Sequence, residues 1–136
     1  MKFSRKLITI VVAFSLLLLC LSCAFAEELA ESTFKVAGVT FDNDDGSSRQ
    51  EIICDLLDEY GEWEDIPGSL LEYEYKGNPA IYVLADGQIV GNIPADDLDT
   101  VLDLLPDVED VVVRVSDFAP EGKTIYFARV TLAYDD

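Results

Sequence analysis

The chain has 136 residues, half of them apolar, with 27 acidic residues, nine basic ones and no His. A formal net charge of −18 repels phosphate backbones and argues against a nucleic-acid partner. The lack of His removes the commonest general base, the usual catalytic triads and most zinc sites.

Met1–Ala26 reads as a secretory signal peptide. Lys2, Arg5 and Lys6 give it a positive start, Leu7 to Leu21 is apolar and uncharged, and Ala24-Phe25-Ala26 places small residues where a signal peptidase cuts. The apolar run is short for a bilayer span, and no transmembrane segment is expected after its removal. The expected location is therefore secreted or within the cell envelope. Two alternatives use the same segment: an uncleaved anchor, or a lipoprotein carrying its lipid on Cys23. Cleavage after Ala26 leaves six basic residues against 27 acidic ones, a charge of −21. The acids are scattered among abundant apolar residues, which fits a folded acidic domain. Cys20 and Cys23 also leave, so Cys54 is the remaining thiol and no internal disulfide can form. Cys54 then either packs at the edge of the core or serves an intermolecular bridge.

Glu27–Ser32 is a short polar lead-in, and residues 33–136 form one domain. Thr33–Phe41 reads as a strand with a bulge at Gly38. Asp42–Ser47 is a turn. Ser48-x-x-Glu51 is a capping box for a helix from Arg49 to Tyr60, stopped by Gly61. Glu62–Ser69, with Trp63, Pro67 and Gly68, reads as a loop. Leu70–Lys76 alternates as a strand, with Leu71, Tyr73 and Tyr75 on one face. Ala80–Ala85 and Gln88–Ile93 flank Asp86-Gly87, a two-residue hairpin signal. A second helix is expected over Asp96–Leu105, ended by Pro106. Asp110–Phe118 and Thr124–Tyr134 are β-rich and close the chain as a hairpin. The order β-α-β-β-β-α-β-β predicts an α+β fold: a small, strongly curved antiparallel sheet, tending towards a barrel, with two helices. Its expected core comprises Phe34, Val36, Val39, Ile53, Leu57, Leu71, Ile81, Val83, Ile89, Leu98, Leu102, Val113 and Phe127.

The chemistry available is narrow. The sequence has no Walker loop, and one mature Cys cannot build a thiolate metal cage. Paired carboxylates could hydrolyse glycosides, but some 110 residues give little room for a sugar cleft. Asp42-Asn43-Asp44-Asp45-Gly46 suggests calcium. Aligned as an EF-hand on Gly46, however, Phe41 and Ile52 fall on ligand positions, so an Asx-rich turn is the better reading. No cofactor, metal or catalytic residue is expected. Arg49 lies near the apolar arc of its helix. It either holds a buried carboxylate or carbonyl, or faces a ligand carboxylate or phosphate.

Several segments together resemble a HIRAN domain: Lys35-Val36-Ala37-Gly38-Val39-Thr40-Phe41, Arg49-Gln50, Asn78-Pro79-Ala80-Ile81-Tyr82-Val83, and Gly87-Gln88-Ile89-Val90-Gly91-Asn92-Ile93-Pro94. The resemblance runs from about Phe34 to Leu105 and is most specific over Asn78 to Pro94. It implies an OB-like β-barrel with flanking helices. In helicase-like proteins the domain can capture the 3′ end of single-stranded DNA, and the resemblance places a ligand site here near Thr40, Phe41, Asn78 and Asn92, with Arg49 as the nearby cation. This chain departs from the family: the Asp of the usual Asn-Pro-x-Asp-x-Asn-Ala run is missing, and Asn92 stands where an aromatic or His is common. The expected function is a secreted, non-enzymatic HIRAN-like binding module for a protein or small ligand. The alternative is a binder of single-stranded DNA 3′ ends or nucleotides outside the cytoplasm.

Overall fold

Six strands and two α-helices follow one another as β1 (Ala30–Lys35), α1 (Arg49–Tyr60), β2 (Ile66–Tyr75), β3 (Asn78–Ala85), β4 (Gln88–Asn92), α2 (Leu98–Leu104), β5 (Val108–Phe118) and β6 (Ile125–Tyr134). The computed structural model describes residues 28–136, so the expected leader Met1–Ala26 and the Cys23 alternative lie outside the described residues. None of the described helices is long and apolar enough to cross a membrane.

The fold is α+β. The strands form one antiparallel sheet in the order β1-β6-β5-β2-β3-β4. The expected barrel is not closed. The two end strands meet through an isolated bridge between Ala37 and Asn92, whose backbones exchange hydrogen bonds of 2.8 and 2.9 Å. The reason is local: Gly38 has a φ of 69° and turns the chain straight after Ala37, so the seam cannot propagate. Gly38 is therefore the first residue of a turn, closed by Phe41 N donating to Gly38 O, and not a bulge within a longer strand.

Local signals explain most element boundaries. Ser48 caps α1 and its side chain accepts from Glu51 N, while Gly61 (φ 99°) ends the helix by donating to Leu57 O. Asp86 and Gly87 both have positive φ, as a two-residue hairpin with matching twist requires. β1 ends at Lys35, short of the expected Phe41, and two strands begin three or more residues before their expected starts. β1 begins at Ala30, within the supposed lead-in, because it pairs with the far end of the chain, Ala30 opposite Tyr134. β2 begins at Ile66, within the supposed loop. Its first residues, Ile66 and Pro67, pair with β5, and Gly68 onwards pairs with β3. Gly68 is needed at that crossing, since a Cβ there would lie 3.0 Å from the side chains of both Val111 and Val113.

The core lies between the helices and one face of the sheet. Ile53 and Leu56 of α1 and Val101 of α2 pack with Val36, Ile66, Ile81, Val83, Val90, Val113, Val115, Val130 and Leu132. Leu56 takes the buried place expected for Leu57, which is only partly buried. Leu71 is 51% exposed, because the outer end of the β2–β3 hairpin projects beyond the core. Phe127 is outside the core as well, in an aromatic cluster on the other face of β6. Gln50 secures α1 to the sheet. Its side-chain amide donates to Tyr126 O and accepts from Tyr126 N at 2.7 and 2.9 Å, as a neighbouring strand would.

Candidate binding site

The turn after β1, the start of α1, and strands β2 to β4 surround one open depression of about 770 Å³. Arg49 is its base. As the first residue of α1 it sits where the helix dipole is positive, an unfavourable place for a cation. It is also only 6% exposed, which adds a desolvation cost. Nε donates to Asn43 Oδ1 at 2.8 Å, and one terminal nitrogen donates to Gly38 O at 3.0 Å and Asn92 Oδ1 at 2.8 Å. These partners are neutral. The one ion pair among the described residues is Arg114 with Asp65, so Arg49 is a buried cation without a carboxylate. Its other terminal nitrogen has no hydrogen bond within the described chain, which leaves donor capacity free beside the depression.

The cradle around Arg49 depends on its neighbours. Asn43 also donates to Ser47 Oγ and Ile89 O, which ties the Asp42–Ser48 loop to β4. Asp45 accepts from Ser47 N and Ser47 Oγ at 2.9 and 2.6 Å, and these bonds hold its carboxyl below the usual range. This is the Asx-type turn expected from the sequence. A Cβ on Gly38 would lie 3.0 Å from Arg49 and 3.2 Å from Phe41, so glycine permits both the turn and the approach of the guanidinium.

Two tyrosines form one wall. Tyr73 and Tyr82 stack with ring centres 3.7 Å apart and planes 5° from parallel. The Arg49 guanidinium lies 6.0 Å from the Tyr82 ring centre. Asn92 Nδ2 donates to Tyr73 OH, so one amide side chain links the cation to the aromatic wall. Burial pushes the Tyr73 phenol above its ordinary value of 10.0, and the neighbouring Tyr82 adds to this, while the Asn92 bond and the Arg49 charge oppose it. A raised folded value favours the fold below pH 10 and withdraws that support as pH rises through the folded value. In alkaline titration followed by circular dichroism, Tyr73→Phe is therefore expected to lose less stability above pH 10 than the parent. Equal losses would locate the alkaline effect elsewhere.

Of the five residues singled out from sequence, Phe41, Arg49, Asn78 and Asn92 line this depression, and Thr40 does not. Thr40 is exposed in the turn beside Phe41. Phe41 is 66% exposed and Tyr75 59% exposed, both at the depression, so two aromatic rings face solvent there. Asp42, Asp44 and Glu74 also line it, opposing any extended polyanion. Sequence reasoning missed Tyr73, Tyr75 and Tyr82. Their alternation along β2 and β3 was visible, but it reads equally well as a core face. Comparison of the chain with protein-family models, curated proteins and solved structures finds no match.

Proposed function

We propose that this domain is a non-enzymatic binding module. It holds a small ligand, or a protein chain end, that combines a planar ring with one carboxylate or phosphate. The observation that carries this reading is Arg49, buried, without an acidic partner, and open to an aromatic-lined depression. An anionic group would supply the opposite charge that the neutral oxygens do not. The ring would lie against Phe41 or Tyr75, and the rim acids would reject longer polyanions. The resemblance to HIRAN domains supports the reading, as the residues it points to include Phe41, Arg49, Asn78 and Asn92. The leader-like N-terminus supports action outside the cytoplasm.

A second reading, capture of a single-stranded DNA 3′ end or a nucleotide, draws on the same exposed Phe41, which could stack a base for about 1–3 kcal/mol. Calorimetric titration separates the two. N-acetylphenylalanine is expected to bind and its uncharged amide is not, while an oligothymidylate with a free 3′ hydroxyl stays unbound. Submicromolar binding of the oligothymidylate, abolished by Phe41→Ala, would favour the second reading. No binding by either acid or oligonucleotide would overturn both.

A further inference from the structure

A second surface lies on the β1, β6 and β5 side of the sheet and shares no lining residue with the Arg49 depression. Lys35 of β1 stands opposite Arg129 of β6, which stands opposite Arg114 of β5. Three of the six basic residues outside Met1–Ala26 thus form one row across three strands. With strands about 4.8 Å apart, the row is about 10 Å wide. Like charges placed opposite each other on a sheet destabilise it. The alternation of backbone bonds worsens this. Val36 N donates to Ala128 O, so Lys35 and Arg129 form the non-hydrogen-bonded kind of pair, in which side chains lie closest. Arg114 is neutralised by Asp65 at 2.8 Å, but Lys35 and Arg129 have no ion pair among the described residues, despite the great excess of acids.

Aromatic rings adjoin the row. Phe127 makes edge-to-face contacts with Trp63 and with Phe118, each at 5.5 Å between ring centres, and Arg129 lies over Trp63 at 5.3 Å. Phe118 is 50% exposed and Trp63 39%. Phe127 lacks a neighbour from β1 because Ala37 has left to bridge Asn92. A depression of about 530 Å³ remains there, lined by Thr33, Lys35, Phe118, Phe127 and Arg129 among others. β1 is also an end strand of the sheet. The same alternation turns the backbone groups of Glu31, Thr33 and Lys35 away from β6, towards an edge that no described residue pairs short of the Ala37–Asn92 bridge.

We propose that this edge docks an extended acidic peptide segment bearing an aromatic residue, added as a further strand along β1. Strand addition supplies main-chain bonds, and alternate side chains supply selectivity. A carboxylate beside Lys35 and Arg129 would relieve their repulsion. An aromatic side chain on the same face of the segment would enter the depression lined by Phe118 and Phe127. Charge and chemistry disfavour other occupants. A second copy of so acidic a chain is repelled, and two free cations cannot hold a long nucleic acid against the surrounding acids. A sugar needs several hydrogen-bonding groups for its hydroxyls, and Thr33 is the one neutral polar side chain lining the depression. Asp65 is paired with Arg114, Glu62 accepts from Ser116 and Glu31 lies at the far end of β1, and none of them forms an ion pair with Lys35 or Arg129.

The probe is a capped, fluorescein-labelled peptide in which Asp, Thr, Phe and Thr repeat twice, read by fluorescence anisotropy. The expected result is saturable binding, weakened by about tenfold or more in Lys35→Glu and in Arg129→Glu. Both side chains are exposed and either change sets opposite charges across the pair, so these variants should melt no lower than the parent. Binding should persist in Arg49→Met, which separates this surface from the site proposed above. It should vanish when Lys replaces Asp in the peptide, or when alternate peptide nitrogens are methylated. Absence of binding, or binding indifferent to Lys35→Glu and Arg129→Glu, overturns the proposal. Retention by the methylated peptide overturns strand addition. Preferential binding of an acidic oligosaccharide or oligonucleotide at these residues overturns the peptide assignment.

Discussion

Leu56→Ala is expected to lower the unfolding free energy by about 2–5 kcal/mol, while Leu57→Ala, one position along, costs distinctly less. The two residues have the same chemistry and the same helix. They differ in direction: Arg49, Ile53 and Leu56 are the buried positions of α1, and Leu57 lies at the margin of that face. Leu56 is 1% exposed and touches the core shared by both helices and the sheet. Truncation there leaves a cavity that β5 and β6 cannot collapse to fill, because their own side chains are interlocked. Urea denaturation at unchanged slope checks this. Equal midpoint shifts for the two variants would mean that α1 is rotated about its axis relative to the arrangement described.

Arg49→Met should produce the largest effect on binding. Loss of a charge-assisted pair of hydrogen bonds is worth about 1.5–3 kcal/mol, or roughly 10–100-fold in affinity for N-acetylphenylalanine. Stability should change less than the number of lost bonds suggests. Gly38 O, Asn43 Oδ1 and Asn92 Oδ1 lose a donor, but an unpaired buried cation at a helix N-terminus is removed with it. Arg49→Lys should retain part of the binding, because it keeps the charge without the planar fork. Calorimetric titration beside thermal melts tests both effects. A large loss of stability with unchanged affinity would make Arg49 a structural brace and sink the binding role.

The parts of this fold that were legible in the sequence are those set within a few residues. Ser48 and Glu51 bracket the first turn of α1, Gly61 closes it, and Asp86-Gly87 bends the β3–β4 hairpin. The illegible parts depend on residues far apart in the chain. Ala30–Ser32 looks polar and loop-like until Leu132–Tyr134 pairs with it. Pro67-Gly68 has the composition of a turn, yet serves as the point where one strand passes from β5 to β3. Arg49 stood out from sequence by its position on the apolar arc, but its choice of neutral partners could not be inferred from a chain so rich in carboxylates. Tyr73 and Tyr82 were hidden by the ambiguity of alternation: period two shows that one face differs from the other, not which faces the core.

The bridge between Ala37 and Asn92 gives the molecule a clasp. Asn92 works on both sides of it, fastening the two ends of the sheet through its backbone and gripping Arg49 and Tyr73 through its side chain. A guest on Arg49 would thus be one residue removed from the fastening. If the proposed ligand binds there, the seam is expected to open less often when the site is filled than when it is empty. Hydrogen exchange at the amides of Ala37 and Asn92, which donate across the bridge, is the expected readout of that change.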